Sequence, residues 1–212
     1  MDIQKLYGIL LPYFRRRRME QFLKEFHPGP TTRILDVGGG PLNWNLIKCK
    51  SRITLLNLKF WGNESSAFTL VRGDANRLPY LDQTFDIAFS NSVIEHLQTY
   101  ERQQKFAEEV RRVGRNLWIQ TPAREFFIEP HLITPFMHYL PKKWQRRLIR
   151  NFSVWGLLTR QHQASVENFV NEIRLPTCQD MLNLFPNCEI RKERFLGLVK
   201  AYIAIRKIEP YH

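Results

Sequence analysis

The chain has 212 residues, 43% hydrophobic and 25% charged, which is enough for one sizeable core and too apolar for a disordered chain. Thirty-two Lys and Arg against 20 Asp and Glu give a formal charge of +12, which favours nucleic acid, an acidic membrane surface or phosphorylated substrates without choosing among them. No apolar run approaches the ~18 residues of a membrane span; Cys49, Cys178 and Cys188 are odd in number and lack C-x-x-C spacing, which argues against a disulfide framework or a zinc site.

Residues 1–30 form a helical segment without the long apolar stretch of a signal peptide, so a cytoplasmic location is expected. Ile3, Leu6, Ile9 and Leu10 keep helical spacing, and Pro12 is expected to stop or kink that run. A second piece sets Tyr13, Met19, Phe22, Leu23 and Phe26 on one broad side, with Arg15 to Arg18 inside it. At ~100° per residue, four consecutive arginines cannot share one solvated face. At least one must lie near the apolar side, snorkelling or meeting an anion. The same run also fits a basic amphipathic element at phospholipid headgroups.

Arg33 to Pro41, RILDVGGGP, reads as a buried strand entering a tight turn. Its glycines permit unusual dihedrals and leave no side chain to hold a ligand away. A dinucleotide fingerprint would require a glycine where Asn43 stands. The pattern present is D-x-G-x-G, from Asp36, Gly38 and Gly40. A short helix over Leu42 to Lys48 and a strand over Ile53 to Leu58 follow. Phe68 to Val71 is a third strand, leading to Gly73-Asp74-Ala75 and Leu78-Pro79. Phe85 to Ser90 is a fourth, continuing into Asn91-Ser92-Val93-Ile94-Glu95-His96-Leu97. Thr99 to Arg112 is an amphipathic helix, and Asn116 to Thr121 a fifth strand that Pro122 ends.

D-x-G-x-G, Gly-Asp-Ala followed by Leu-Pro, and FDIAFSNSVIEHL occur in this order and spacing. Together they resemble the type 11 branch of the class I S-adenosylmethionine-dependent methyltransferases, over roughly Thr32 to Thr121. The resemblance implies an α/β, Rossmann-like methyltransferase fold. Its seven-stranded, mostly parallel sheet would run 3-2-1-4-5-7-6, with helices on both faces. It also implies S-adenosylmethionine as cofactor, S-adenosylhomocysteine as product, and no metal. Gly38, Gly39 and Gly40 would hold the methionine end, assisted by Asp36. Asp74 and Ala75 would meet the adenine, and Asn91 the region of the sulfonium. Asn57 stands where relatives carry an acidic residue for the ribose hydroxyls. An amide can accept from one hydroxyl and donate to another, without the strength of a carboxylate. An ordinary turn aspartate would satisfy Gly73-Asp74 as well. Glu95 and His96 read as the lead into the next helix.

Residues 122–176 read as a lid or substrate insertion after the 31–121 core. Its aromatics could shape an acceptor pocket in which Glu129 or His131 takes a proton; His138 reads as packing. Five cations fall in Lys142 to Arg150, and Trp144 to Ile149 is a second basic amphipathic piece. Within 177–212, Thr177 with Asp180 resembles a capping box that opens a helix through Phe185. Alternation around Leu196-Gly197 then reads as a hairpin. The chain is expected to be a single domain, 1–212. It would methylate a small or amphiphilic acceptor, lipid-linked or glycan, with peripheral contact at the anionic inner membrane face. An RNA methyltransferase and a non-catalytic methyltransferase-like scaffold are the alternatives. No RNA-binding module or N-P-P-Y motif is present, so nucleic acid is the less favoured partner.

Overall fold

The computed structural model describes residues 3–59, 67–129, 132, 134–159 and 162–208. In chain order these form α1 (Ile3–Phe26), β1 (Arg33–Val37), α2 (Pro41–Trp44), β2 (Arg52–Asn57), β3 (Thr69–Arg72), β4 (Phe85–Asn91), α3 (Tyr100–Val113) and β5 (Gly114–Pro122). A short pair, β6 (Ile128–Glu129) and β7 (Thr134–Pro135), comes next. Three helices follow, α4 (Lys142–Phe152), α5 (Val154–Thr159) and α6 (Gln163–Glu172). The chain ends in α7 (Cys178–Leu184), β8 (Glu189–Phe195) and β9 (Leu198–Arg206).

Seven strands make one sheet in the order β3-β2-β1-β4-β5-β9-β8, and β6 and β7 form a separate antiparallel pair. Counted within the sheet alone, the order is the expected 3-2-1-4-5-7-6; the extra pair lies in the 122–176 insertion. β1 runs parallel to β2 and β4, β2 parallel to β3, and β8 antiparallel to β9. Ile34 to Val37 are buried without alternation, the burial expected of a strand covered on both faces.

The chain divides into two compact units. The first comprises Met1–Asn91, Glu109–Ile119 and Arg206–His212. Here α1 is one helix through Pro12 rather than two. An interior proline forfeits one backbone hydrogen bond, and the helix bears that loss without ending. Arg18, Met19, Phe22 and Phe26 are its buried residues among 13–26, whereas Tyr13 is 58% exposed instead of joining that face. Phe22 anchors the aromatic core, with ring centroids 5.8 Å from Trp44, 5.1 Å from Phe89 and 5.8 Å from Trp118. The helix after the glycine turn has four residues rather than seven. Asn43 and Asn45 form helix poorly because their side chains compete for the backbone. Arg112 ties α3 to the preceding loop, donating to the carbonyls of Tyr80 and Leu78 and to Asp82 and Glu109.

The second unit comprises Ser92–Glu108 and Gln120–Ile205. Its insertion has a core of its own, in which Leu132, Met137, Ile149, Val166 and Val170 are buried together. The expected capping box is present: Thr177 Oγ1 accepts from the Asp180 N–H at 3.1 Å, and the Thr177 N–H donates back to Asp180 Oδ2 at 3.0 Å. Among the described residues, no helix is long and apolar enough to cross a membrane.

Candidate functional site

The carboxyl ends of β1, β2, β3 and β4 share one edge because these neighbouring strands are parallel. Ligands bind at that edge in open α/β sheets. Asp36 to Gly40, Asn57, Asp74, Ala75 and Asn91 all belong to the first unit, and each lies at or just beyond one of these strand ends.

The three glycines serve three purposes. Gly38 takes a φ of 78°, open to it at no steric cost, and its N–H donates to the Leu56 carbonyl at 2.7 Å. Gly39 is required for space, since a Cβ there would stand 2.0 Å from Asp36 Oδ2. Gly40 has extended backbone, and a Cβ on it would meet nothing within 4 Å among the described residues beyond its chain neighbours. The turn therefore offers bare backbone to whatever lies against it.

Asp36 sits beneath this turn rather than beside its opening. It is fully buried, and Oδ2 accepts from the Trp44 indole N–H at 2.8 Å. Oδ1 is buried and has no hydrogen-bond partner among the described residues. Burial pushes the carboxyl up to about 7 from its ordinary 3.8, and the Trp44 hydrogen bond opposes part of that rise. Trp44 was not among the residues anticipated here. A buried indole N–H usually finds an acceptor, and that tendency is the sequence signal that could have paired it with Asp36.

Asn57 holds the turn from the side. Its Nδ2 donates to the Gly38 carbonyl at 2.9 Å and to the Gly39 carbonyl at 3.2 Å. The amide nitrogen expected to meet a ribose hydroxyl is thus committed to the backbone, which leaves Oδ1 as the group to accept from a ligand. A carboxylate could not make these bonds, because it has no proton to donate when ionised. Asp74 forms the turn anticipated as its alternative role, with Oδ1 accepting from the Asn76 N–H at 2.9 Å. Asp74 is exposed and Ala75 half-buried.

At the end of β4, Ser90 donates to the Val37 carbonyl at 2.8 Å, joining this strand to β1. Asn91 accepts at Oδ1 from Arg18 of α1 at 2.7 Å. Arg18 is the arginine that the four-residue run forces onto the apolar side, and it is 7% exposed. Its contact with Asn91 was not read from the sequence. A cavity of about 490 Å³ in this unit is lined by Trp44, Asn45, Ile47 and Cys49, and touches none of the residues expected to meet a cofactor.

In the second unit, Glu125 accepts from the Tyr202 hydroxyl at 2.7 Å and from the Cys178 N–H at 3.2 Å. Glu95 is buried and accepts from Thr121 Oγ1 at 3.1 Å. His138 Nε2 donates to the Arg124 carbonyl at 2.9 Å, and its ring lies 4.2 Å from Tyr139. A cavity of about 410 Å³ is lined by Leu132, Phe169 and Val170 together with Arg124, Lys142 and Arg174. Glu129 contributes backbone to β6, but its side chain, like the whole of His131, lies outside the described residues. Among the described residues, no three His, Cys, Asp or Glu side chains gather as a metal site would require.

Residues 49–116 match the model of the methyltransferase domain family. Over those residues the chain is similar to methyltransferase domains, and that similarity implies S-adenosylmethionine as the methyl donor. A protein of Encephalitozoon cuniculi named as a methyltransferase is 34% identical over 102 residues, 46% of this chain and 49% of that one. The chain therefore aligns with about half the length of the curated relative. A Pyrococcus horikoshii protein of known structure is 16% identical and superposes with a TM-score of 0.55, over 90% of this chain and 89% of that one. A chain from the Haloferax volcanii complex of the Trm112 methyltransferase activator with a protein described as a methyltransferase is 9% identical, with a TM-score of 0.52 and 94% of each chain covered. At such identities these two likenesses establish the fold.

The cradle fits the implied cofactor. Bare backbone at Gly40 leaves room for a ligand, Asn57 Oδ1 remains to accept a hydroxyl, and Asp74 Oδ2 is not used by its own turn.

Proposed function

We propose that the chain transfers a methyl group from S-adenosylmethionine to a small or amphiphilic acceptor, lipid-linked or glycan, and releases S-adenosylhomocysteine. The observation that carries this reading is the glycine turn, held by Asn57, packed against Asp36 at Gly39, and met by no other described residue at Gly40. Gly38 to Gly40 would lie along the methionine portion, Asn57 Oδ1 at the ribose, Asp74 and Ala75 at the adenine, and Asn91 near the sulfur. When bound, the sulfonium supplies an activated methyl group. The chain's own task is then alignment of the nucleophile and exclusion of water. For a hydroxyl acceptor, Glu129 or His131 is the proposed base.

We place the enzyme in the cytoplasm, peripherally at the inner membrane face.

Calorimetric titration with S-adenosylhomocysteine tests the cofactor assignment, and measurable heat is expected. No heat at millimolar ligand would leave a methyltransferase-like scaffold. Transfer of labelled methyl to lipid and glycan extracts, with bulk RNA in parallel, tests the acceptor. Labelling of RNA alone would overturn the amphiphilic assignment.

A further inference from the structure

Residues 130–166 hold six Lys and Arg and not one Asp or Glu. The run contains α4, in which Ile149 is fully buried on one side. Lys143, Arg147 and Arg150, spaced i, i+4 and i+7, form a stripe on the other side, and all three are exposed. Among the described residues none of the three has a carboxylate partner. Lys142 and Lys143 also occupy the first turn of α4, where the helix dipole disfavours cations and Pro141 supplies no side-chain cap. An external anion would relieve both charge concentrations.

Exposed rings accompany the stripe. Trp144 is 53% exposed and stands one turn from Arg147, and the chain just before α4 adds Tyr139 at 47% and Phe136 at 61%. The Phe136 and Tyr139 ring centroids lie 6.4 Å apart. Phe136 has a φ of 60°, unfavourable for an aromatic residue, and its N–H donates to the Phe127 carbonyl at 2.7 Å. The backbone thus holds an apolar ring in water. Rings that partition to the headgroup level, beside unpaired cations, are the make-up of an interfacial surface. Aliphatic Leu140 and Leu157, 36% and 61% exposed, favour lipid over nucleic acid, since they cannot stack on bases.

We infer that the α4 face, with Phe136, Tyr139 and Trp144, docks on an anionic phospholipid surface. The surface needs only α4 and the rings just before it; Arg15 to Arg18 are not required, since Arg18 is buried and Arg16 pairs with Glu20 at 3.0 Å.

Sedimentation of the full chain with phosphatidylcholine vesicles, and with vesicles containing phosphatidylglycerol, tests the inference. Binding is expected only to the anionic vesicles and should weaken as salt is raised. Lys143→Ala with Arg147→Ala should weaken it about thirtyfold, at about a kilocalorie per cation near the surface. Brominated lipid should quench tryptophan fluorescence in the wild type, and Trp144→Phe should remove most of that quenching. S-adenosylhomocysteine titration of the same variants keeps the two readings apart, because docking should fall while cofactor binding stays unchanged. No sedimentation with anionic vesicles, binding that both substitutions leave intact, or binding of RNA without binding of vesicles would each overturn the inference.

Discussion

The side-chain amide of Asn57 donates to the carbonyl of Gly38 at 2.9 Å, so the residue at the end of β2 acts first on the protein's own turn. Asn57→Asp would place an ionised carboxylate against the carbonyls of Gly38 and Gly39. We expect it to cost about 1–3 kcal/mol of stability and to weaken S-adenosylhomocysteine binding. Urea denaturation and calorimetry check this. Tighter binding by the aspartate variant would show that the ribose, and not the turn, governs this position.

Gly39 and Gly40 should respond oppositely to the same small change. Gly39→Ala drives a methyl group into Asp36 and must displace the carboxyl or the turn, with a loss of several kcal/mol expected. Gly40→Ala meets no atom within 4 Å among the described residues beyond its chain neighbours and should leave stability within roughly 0.5 kcal/mol of wild type. It should instead weaken S-adenosylhomocysteine binding roughly tenfold, or about 1.4 kcal/mol, by filling space the ligand needs. Equal affinities for Gly40→Ala and wild type would place the ligand elsewhere.

Asp36 should make stability depend on pH. Its folded value near 7 exceeds its ordinary 3.8, so the folded state keeps a proton that the unfolded chain has released. Stability should therefore fall as pH rises from about 4 to about 7 and level off above that, by at most about 4 kcal/mol. Asp36→Asn retains an acceptor for Trp44 and removes the titration. The difference in unfolding free energy between wild type and variant, followed across this window, should show the slope. A constant difference would show that the carboxyl titrates normally.

Arg18 occupies a core position on α1 for the sake of Asn91. Arg18→Ala should cost about 1.5–3 kcal/mol, as expected for a hydrogen bond to a charged group. A double-mutant cycle with Asn91→Ala should return a coupling of about 1–2 kcal/mol. Additive effects in denaturant titrations would mean that Arg18 stabilises through contacts other than the one with Asn91.

The parallel strands were legible because each is a short apolar run closed by a turn residue, as in Ile34 to Val37 before Gly38. The sheet order came through resemblance, and the Thr177 and Asp180 cap from spacing three residues apart. Contacts made by single polar atoms across long separations were not legible. Asn57 reaches carbonyls 18 and 19 residues away, and Arg18 reaches an amide 73 residues away. Geometry alone determines such partners. Arg15 to Arg18 could be read as having one buried member, because helical periodicity forces it, but not which one or against what. Asp36 was expected to assist the glycines in holding a ligand, and its carboxyl is instead buried against Trp44. A strand end fixes where the main chain emerges and leaves open whether a carboxyl turns outward or folds underneath.

The glycine turn is held by the protein's own groups. Supported from below by Asp36 and from the flank by Asn57, its main chain has already surrendered its conformational freedom in folding. Little ordering is left for the moment of encounter. Association should accordingly proceed in one kinetic phase, at a speed set by collision frequency instead of by a slow rearrangement of the loop.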